Sequence, residues 1–375
     1  MSHTNSAAWL PDKCINLQVG PAPYTPPKSG QIVVKNAALA INPVDWMKQQ
    51  AGSLILGYVK MPCILGGDVA GEVVEVGSDV ERFRVGDRVI GQAAACAPNS
   101  NDPAEGAFQH YTVLREHLAA VIPDGMPYEQ AVVLPLALLT AACGLFHEDF
   151  LALDPPAVPA TPPSNNRAII ITGGASSVGS NAVQLAVSAG YQVYSTASPK
   201  NFALVEKLGA TQVFDYHSNA LVDDLVGALQ GKSVAGAFVV GDGAAEACTK
   251  VLRRCGGSTN KFIAFAGSIT PPDAFKSLLN TAKFMGSMGL WFGQRALVSC
   301  FTGVRTKFVE GEDICRPDNV ASRLVFRDFL PKALATGQFI PAPELMVVGK
   351  GLDKIQEAMD LQMKGVSARK VVVLL

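Results

Sequence analysis

The chain is predicted to be an α/β protein in two parts, one β-rich and one built on a doubly wound parallel sheet. Three observations predict it. Short strands broken by Gly and Pro fill the first third of the 375 residues. In the middle, short apolar strands alternate with helices. A glycine-rich turn, Thr172-Gly173-Gly174-Ala175-Ser176-Ser177-Val178-Gly179-Ser180, joins the first of those strands to its helix.

In chain order, strands are expected over 32–35 and 68–76, with Gly77-Ser78-Asp79 as a turn and strand character again over 85–91. Such a run implies an irregular barrel. The apolar stretch 131–146 is shorter than the roughly 20 residues of a membrane span. Pro135 interrupts it, so it is expected to be a buried helix. The Pro-rich segment 154–166 reads as an exposed loop of the second part. A strand over 167–172 should be buried on both faces. A helix follows over 178–189, closed by Gly190. The next strand covers 192–196, and Ser198 then stands as an N-cap with Pro199 at the first helical position. That helix ends at Leu208-Gly209. Further strands are expected over 212–214, 235–240 and 262–266, with 287–292 as the last strand of the sheet. Helices near 322–335 and 356–364 and a strand over 370–375 return to the first part. Residues 1–136 with 311–375 thus form one domain around a second at 137–310.

Composition narrows the function. With 31 basic and 32 acidic residues the net charge is −1, which gives no broad attraction for nucleic acid or an anionic membrane. The first ten residues lack a basic segment followed by an apolar stretch, so no signal peptide is expected and the protein reads as cytoplasmic. The eight cysteines stand singly, without a C-x-x-C pair, and read as free thiols.

The glycine turn carries the chemistry. Gly174 permits a tight turn and Gly179 close packing of helix on strand, while Ser176 replaces the usual middle glycine. Backbone amides at Ser177 and Val178 would face a pyrophosphate, where the helix dipole favours negative charge. The end of the second strand selects the cofactor. An NAD site places Asp or Glu there for the ribose 2′-hydroxyl. This chain has Ser195, Ser198 and Lys200, with no carboxylate to repel a 2′-phosphate, so NADPH is expected.

Several segments together closely resemble the medium-chain dehydrogenase/reductase superfamily. They are Asn42-Pro43-Val44-Asp45, Gly66-Gly67-Asp68-Val69-Ala70-Gly71-Glu72-Val73, Phe83-Arg84-Val85-Gly86-Asp87-Arg88-Val89, and the closing Gly365-Val366-Ser367-Ala368-Arg369-Lys370. The resemblance implies a GroES-like catalytic domain beside a Rossmann domain. The segment 195–202 resembles fungal trans-acting enoyl reductases of secondary metabolism. The resemblance implies a cofactor-binding set that adds Asn42, Pro43, Asp45, Thr140, Tyr216, Gly241, Ala266, Gly267 and Lys370. Zinc alcohol dehydrogenases of this superfamily hold their metal with a Cys and a His-Glu pair. The matching segments here offer no thiolate or imidazole, and only Cys96 stands where a four-cysteine lobe would lie. The five histidines are dispersed, so no metal is expected.

Without a metal, the resemblance implies hydride transfer to the activated double bond of an α,β-unsaturated carbonyl. The substrate would be an enoyl, polyketide or quinone-like metabolite, which a biosynthetic synthase could present. Lys48, Tyr58 and Thr140 are the candidate donors. Lys48 reads equally as an exposed helix lysine, and Tyr58 as a loop aromatic packed on the barrel. Met288 and Trp291 are candidates for the substrate cleft, or for core or subunit contacts. Monomer and homodimer both fit. Two alternatives stay open: a zinc-free carbonyl reductase or alcohol dehydrogenase, and a nucleotide-binding homologue without turnover.

Overall fold

The computed structural model describes residues 4–95, 97–98, 100–163, 166–241, 243–267, 270–309, 315–316 and 318–375, which form three sheets. One has six parallel strands in the spatial order Gln212–Asp215, Gln192–Ala197, Arg167–Ile171, Ser233–Val239, Phe262–Phe265, Arg305–Phe308. By position in the chain this is 3-2-1-4-5-6, the doubly wound order, and its switch point lies between Arg167–Ile171 and Ser233–Val239. Alternation along one strand builds both faces. Ile169 and Ile171 enter the core shared with the helix Pro135–Phe146. Ala168 and Ile170 enter the opposite core, with the helices Leu221–Ala228 and Ala244–Arg254.

The second sheet has the order Glu344–Lys350, Arg369–Leu374, Gln31–Ala40, Asp68–Val76, Arg88–Gln92, Ala119–Val121, with Tyr111–Arg115 also paired to Gln31–Ala40. Its register sets Ala40 opposite Asp68 and Val372, and Asp68 opposite Gln92, so one end of the barrel gathers these positions. A small sheet of Gln18–Ala22, Asn5–Leu10 and Cys63–Ile64 completes the fold.

The apolar stretch Tyr128–Phe146 could cross a membrane by length and composition, yet 78% of its apolar window is buried inside the protein. It is a core helix, as its interruption by Pro135 implies. The Pro-rich loop lies against the helix Ser177–Ser188, where the amides of Ala157 and Thr161 donate to the Ser188 carbonyl.

One expected strand is wrong. Residues 287–292 lie inside the 25-residue helix Leu278–Thr302, and the sixth strand is Arg305–Phe308. Both ends of the helix are capped. The Ser277 hydroxyl accepts the Asn280 amide at 3.1 Å, and Gly303 at φ 69° donates its amide to the Ser299 carbonyl. The expected boundary between 310 and 311 lies outside the described residues, as does Cys96.

Candidate functional site

The glycine turn leads from Arg167–Ile171 into the helix Ser177–Ser188. Gly173 takes φ 63°. A Cβ on Gly179 would strike the Gly173 backbone carbonyl, and one on Gly174 would strike the Ser195 and Val205 side chains, so close packing requires both glycines. Ser176, where a middle glycine is usual, caps the helix. Its hydroxyl accepts the Gly179 amide at 3.0 Å and donates to the Gly173 carbonyl at 2.7 Å. Among the described residues no protein acceptor meets the Ser177 and Val178 amides. They stay open at the positive end of a 12-residue helix.

At the end of the second strand the structure separates the expected residues. Ser195 is fully buried, and its hydroxyl donates to the Ile171 carbonyl at 2.7 Å. It is a buried sheet residue packed beneath the glycine turn, with its hydroxyl against Gly174. Ser198 precedes the 3₁₀ turn Pro199–Asn201, and its hydroxyl accepts from the Asn201 side chain at 3.1 Å instead of capping a backbone amide. Lys200 is exposed. Tyr216, 50% exposed, stacks on His217 with centroids 4.2 Å apart. No carboxylate ends Gln192–Ala197. Asp215, paired with Ala197 on the next strand, accepts the His217 amide at 2.9 Å.

The barrel contributes a buried polar network. Asn42 caps the helix Pro43–Ala51, and its amide donates to Asp45 Oδ2 at 2.8 Å. Asn42 Nδ2 donates to Asp68 Oδ2 at 2.8 Å. The Lys370 ammonium donates to Asn42 Oδ1 at 2.5 Å and pairs with Asp68 Oδ2 at 2.9 Å. The Leu136 amide donates to Asp68 Oδ1 at 2.7 Å, which ties the start of Pro135–Phe146 to the same carboxylate. Asp68 is 0% and Lys370 4% exposed. Burial pushes the Asp45 carboxyl up to about 7, against the lowering effect of the Asn42 amide. Thr140 lies one turn beyond Leu136, and its hydroxyl donates to the Leu136 carbonyl at 2.8 Å. The Gln92 side-chain oxygen is buried beside Gly67 without a hydrogen-bond partner.

At the carboxyl ends of the fourth and fifth strands, Gly241 at φ 110° lies against Gly267, and the Ala266 amide donates to the Val239 carbonyl. Trp291, on the long helix, rests on Phe265 with centroids 5.1 Å apart. Met288 lies one helical turn earlier and is half-buried. Neither borders the cleft on a strand, as expected from sequence.

Lys48 is fully buried, neither an exposed lysine nor part of the network. Its ammonium donates to the carbonyls of Gly52, Ile55, Leu56 and Val59 at 2.9–3.1 Å and so organises the loop after its helix. Tyr58 packs against the barrel core, as the plainer of its two readings had it. Asp68 is the residue that sequence reasoning left out of the site. The available signal was a carboxylate among small and apolar residues of a buried strand.

Residues 28–124 match the alcohol dehydrogenase GroES-like domain. The chain is 48% identical over 373 residues to the dehydrogenase pigH of Monascus ruber, covering 99% of both chains. The chain belongs to the medium-chain dehydrogenase/reductase superfamily. It is also 38% identical to the trans-enoyl reductase himH of Aspergillus japonicus, covering 98% of this chain and 97% of that one. The solved CurK enoyl reductase shares its fold with a TM-score of 0.71 at 19% identity, covering 99% of each chain. The protein is therefore an oxidoreductase of a superfamily that works with nicotinamide cofactors.

Within that superfamily, the segments matching the zinc ligands of its alcohol dehydrogenases are Asn42–Asp45 and Gly66–Asp68. Here they meet at the Lys370 ammonium. Among the described residues no group of three or more His, Cys, Asp or Glu could hold a metal.

Proposed function

We propose that the protein is an NADPH-dependent, metal-independent reductase of activated carbon–carbon double bonds. The observation that carries this reading is the open pair of amides at Ser177 and Val178, at the switch point of a doubly wound sheet. The strand end beyond them has no carboxylate to favour NADH, and it offers Ser198 and the exposed Lys200 to a 2′-phosphate. Gly174 and Gly179 keep the turn low, and Gly241 has open space where a side chain would stand. The orphaned Gln92 oxygen suits an amide donor.

When bound, a reduced nicotinamide dinucleotide supplies hydride to the β-carbon of an enone. The chain's own residues bind and orient. Asn42, Pro43, Asp45, Thr140 and Lys370 form the wall on the barrel side, and Tyr216, Gly241, Ala266 and Gly267 the wall on the sheet side. Lys48 and Thr140 both donate to backbone carbonyls, which supports solvent over either side chain as the source of the α-carbon proton. Water delivers that proton. The substrate is a small metabolite, free or presented by a synthase, and the protein works in the cytoplasm as monomer or homodimer.

Steady-state kinetics with an enone thioester, a quinone and an aldehyde test the reading. We expect enone turnover, with kcat/KM for NADPH about tenfold or more above NADH, a ratio that corresponds to ~1.4 kcal/mol. Lys200→Gln should raise KM for NADPH and leave KM for NADH nearly unchanged. Equal use of both dinucleotides, turnover of aldehydes alone, or stoichiometric zinc in the purified protein would each overturn it.

A further inference from the structure

We infer that Asp68 is a positioning residue, which sets Lys370 and the start of the helix Pro135–Phe146 for the nicotinamide half of the dinucleotide. The inference rests on the NADPH reading above. Asp68 is fully buried, and its two oxygens are divided between three donors from three different elements. Oδ1 takes the Leu136 amide at 2.7 Å. Oδ2 takes the Lys370 ammonium at 2.9 Å and the Asn42 side-chain amide at 2.8 Å. Asn42 in turn holds the ammonium through its own oxygen at 2.5 Å. A lysine side chain is long and rotamer-rich. Inside a protein it keeps one place only when partners fix it. Two acceptors fix Lys370, and each leaves room for an ammonium to use its remaining proton elsewhere.

The charge balance supports the assignment. Of the charged groups that face one another here, Asp45, Asp68 and Lys370 are all buried. Without Asp68 the buried ammonium would lose its hydrogen-bonded counter-charge, and Asp68 without Lys370 would lose its own. The pair hangs from the barrel and from the start of the helix that carries Thr140, while Ser198 and Lys200 follow a strand of the parallel sheet. Asp68 therefore bears on one half of the dinucleotide and leaves the adenine half to the sheet.

The test is a double-mutant cycle read by binding, using Asp68→Asn, Lys370→Gln and the double variant. The carboxamide keeps an oxygen for the Leu136 amide and removes the charge that holds Lys370. Dissociation constants for NADPH and for 2′,5′-ADP, which lacks the nicotinamide half, are measured by calorimetry. Each single variant should weaken NADPH about tenfold and change 2′,5′-ADP less than twofold. Asp68→Asn should add less than twofold once Lys370 is already Gln. Equal losses for NADPH and 2′,5′-ADP would assign Asp68 to general stability and overturn the inference, as would unchanged NADPH binding or additive effects in the double variant. Wild-type protein that binds 2′,5′-ADP and NADPH with the same affinity overturns it as well. Wild-type protein that binds neither removes the parent reading and this one with it.

Discussion

Asp45, buried, and His117, half-buried, titrate in opposite directions. Burial raises the Asp45 carboxyl from 3.8 to about 7. Between those values the folded protein holds a proton that the unfolded chain releases, so stability falls as pH rises through that window. Burial lowers His117 from 6.5 to about 4, with the Arg115 and Arg323 cations adding to the effect and the Cys315 carbonyl opposing it. There the unfolded chain holds the extra proton, and stability falls as pH drops through 6.5 towards 4. At full development the shifts correspond to roughly 4 and roughly 3 kcal/mol. The two windows overlap and their slopes oppose one another, so Asp45→Asn should make Tm rise more with pH between about 4 and 6.5 than in wild type, and His117→Gln should make it fall more. Parallel curves for wild type and both variants would contradict this assignment.

The helix Leu278–Thr302 shows where local pattern misleads. Its central run Met288-Gly289-Leu290-Trp291-Phe292 has the short apolar character of a buried strand. Only the distant caps, Ser277 and Gly303, mark it as helix. By contrast, the glycine turn, the strand Asp68–Val76 and the closing strand were legible because their signals lie within a few residues. The network around Asp68 was not legible, because Lys370 reaches Asn42 from 328 residues away. The burial of Ser195 was not legible for a related reason. Its spacing fits a phosphate ligand, but strand alternation turns the hydroxyl inward to the Ile171 carbonyl. The same long helix carries Gly286, Gly289 and Gly293, at each of which a Cβ would meet no atom within 4 Å. Each Gly→Ala substitution there should stabilise the protein by about 0.5–1 kcal/mol, through helix propensity alone. Urea denaturation of the triple variant measures it. A lower midpoint would show that these glycines serve close packing.

Two domains by sequence share one core in three dimensions. A single apolar cluster runs from Ala38, Ala70 and Ile90 of the barrel sheet, through Leu138, Leu139 and Leu145, to Ile169, Ile171 and Val193 of the parallel sheet. Phe326 and Phe329 join it from the later part of the chain. Side chains packed this way lose contacts on both sides if either sheet opens, so opening one exposes apolar surface of the other. The Asp68 carboxylate reinforces the joint, since it ties a barrel strand to the start of the helix Pro135–Phe146, which crosses the expected boundary after residue 136. The two parts are therefore expected to unfold as a unit, and a ligand of the parallel sheet should stabilise the barrel too. NADPH at about 100 times its Kd should add ~2.7 kcal/mol to the unfolding free energy. Scanning calorimetry should then show one transition that moves upward whole, and intrinsic fluorescence and circular dichroism should report the same midpoint. Two separated transitions, of which NADPH shifted only one, would mean that the shared core does not couple the two parts.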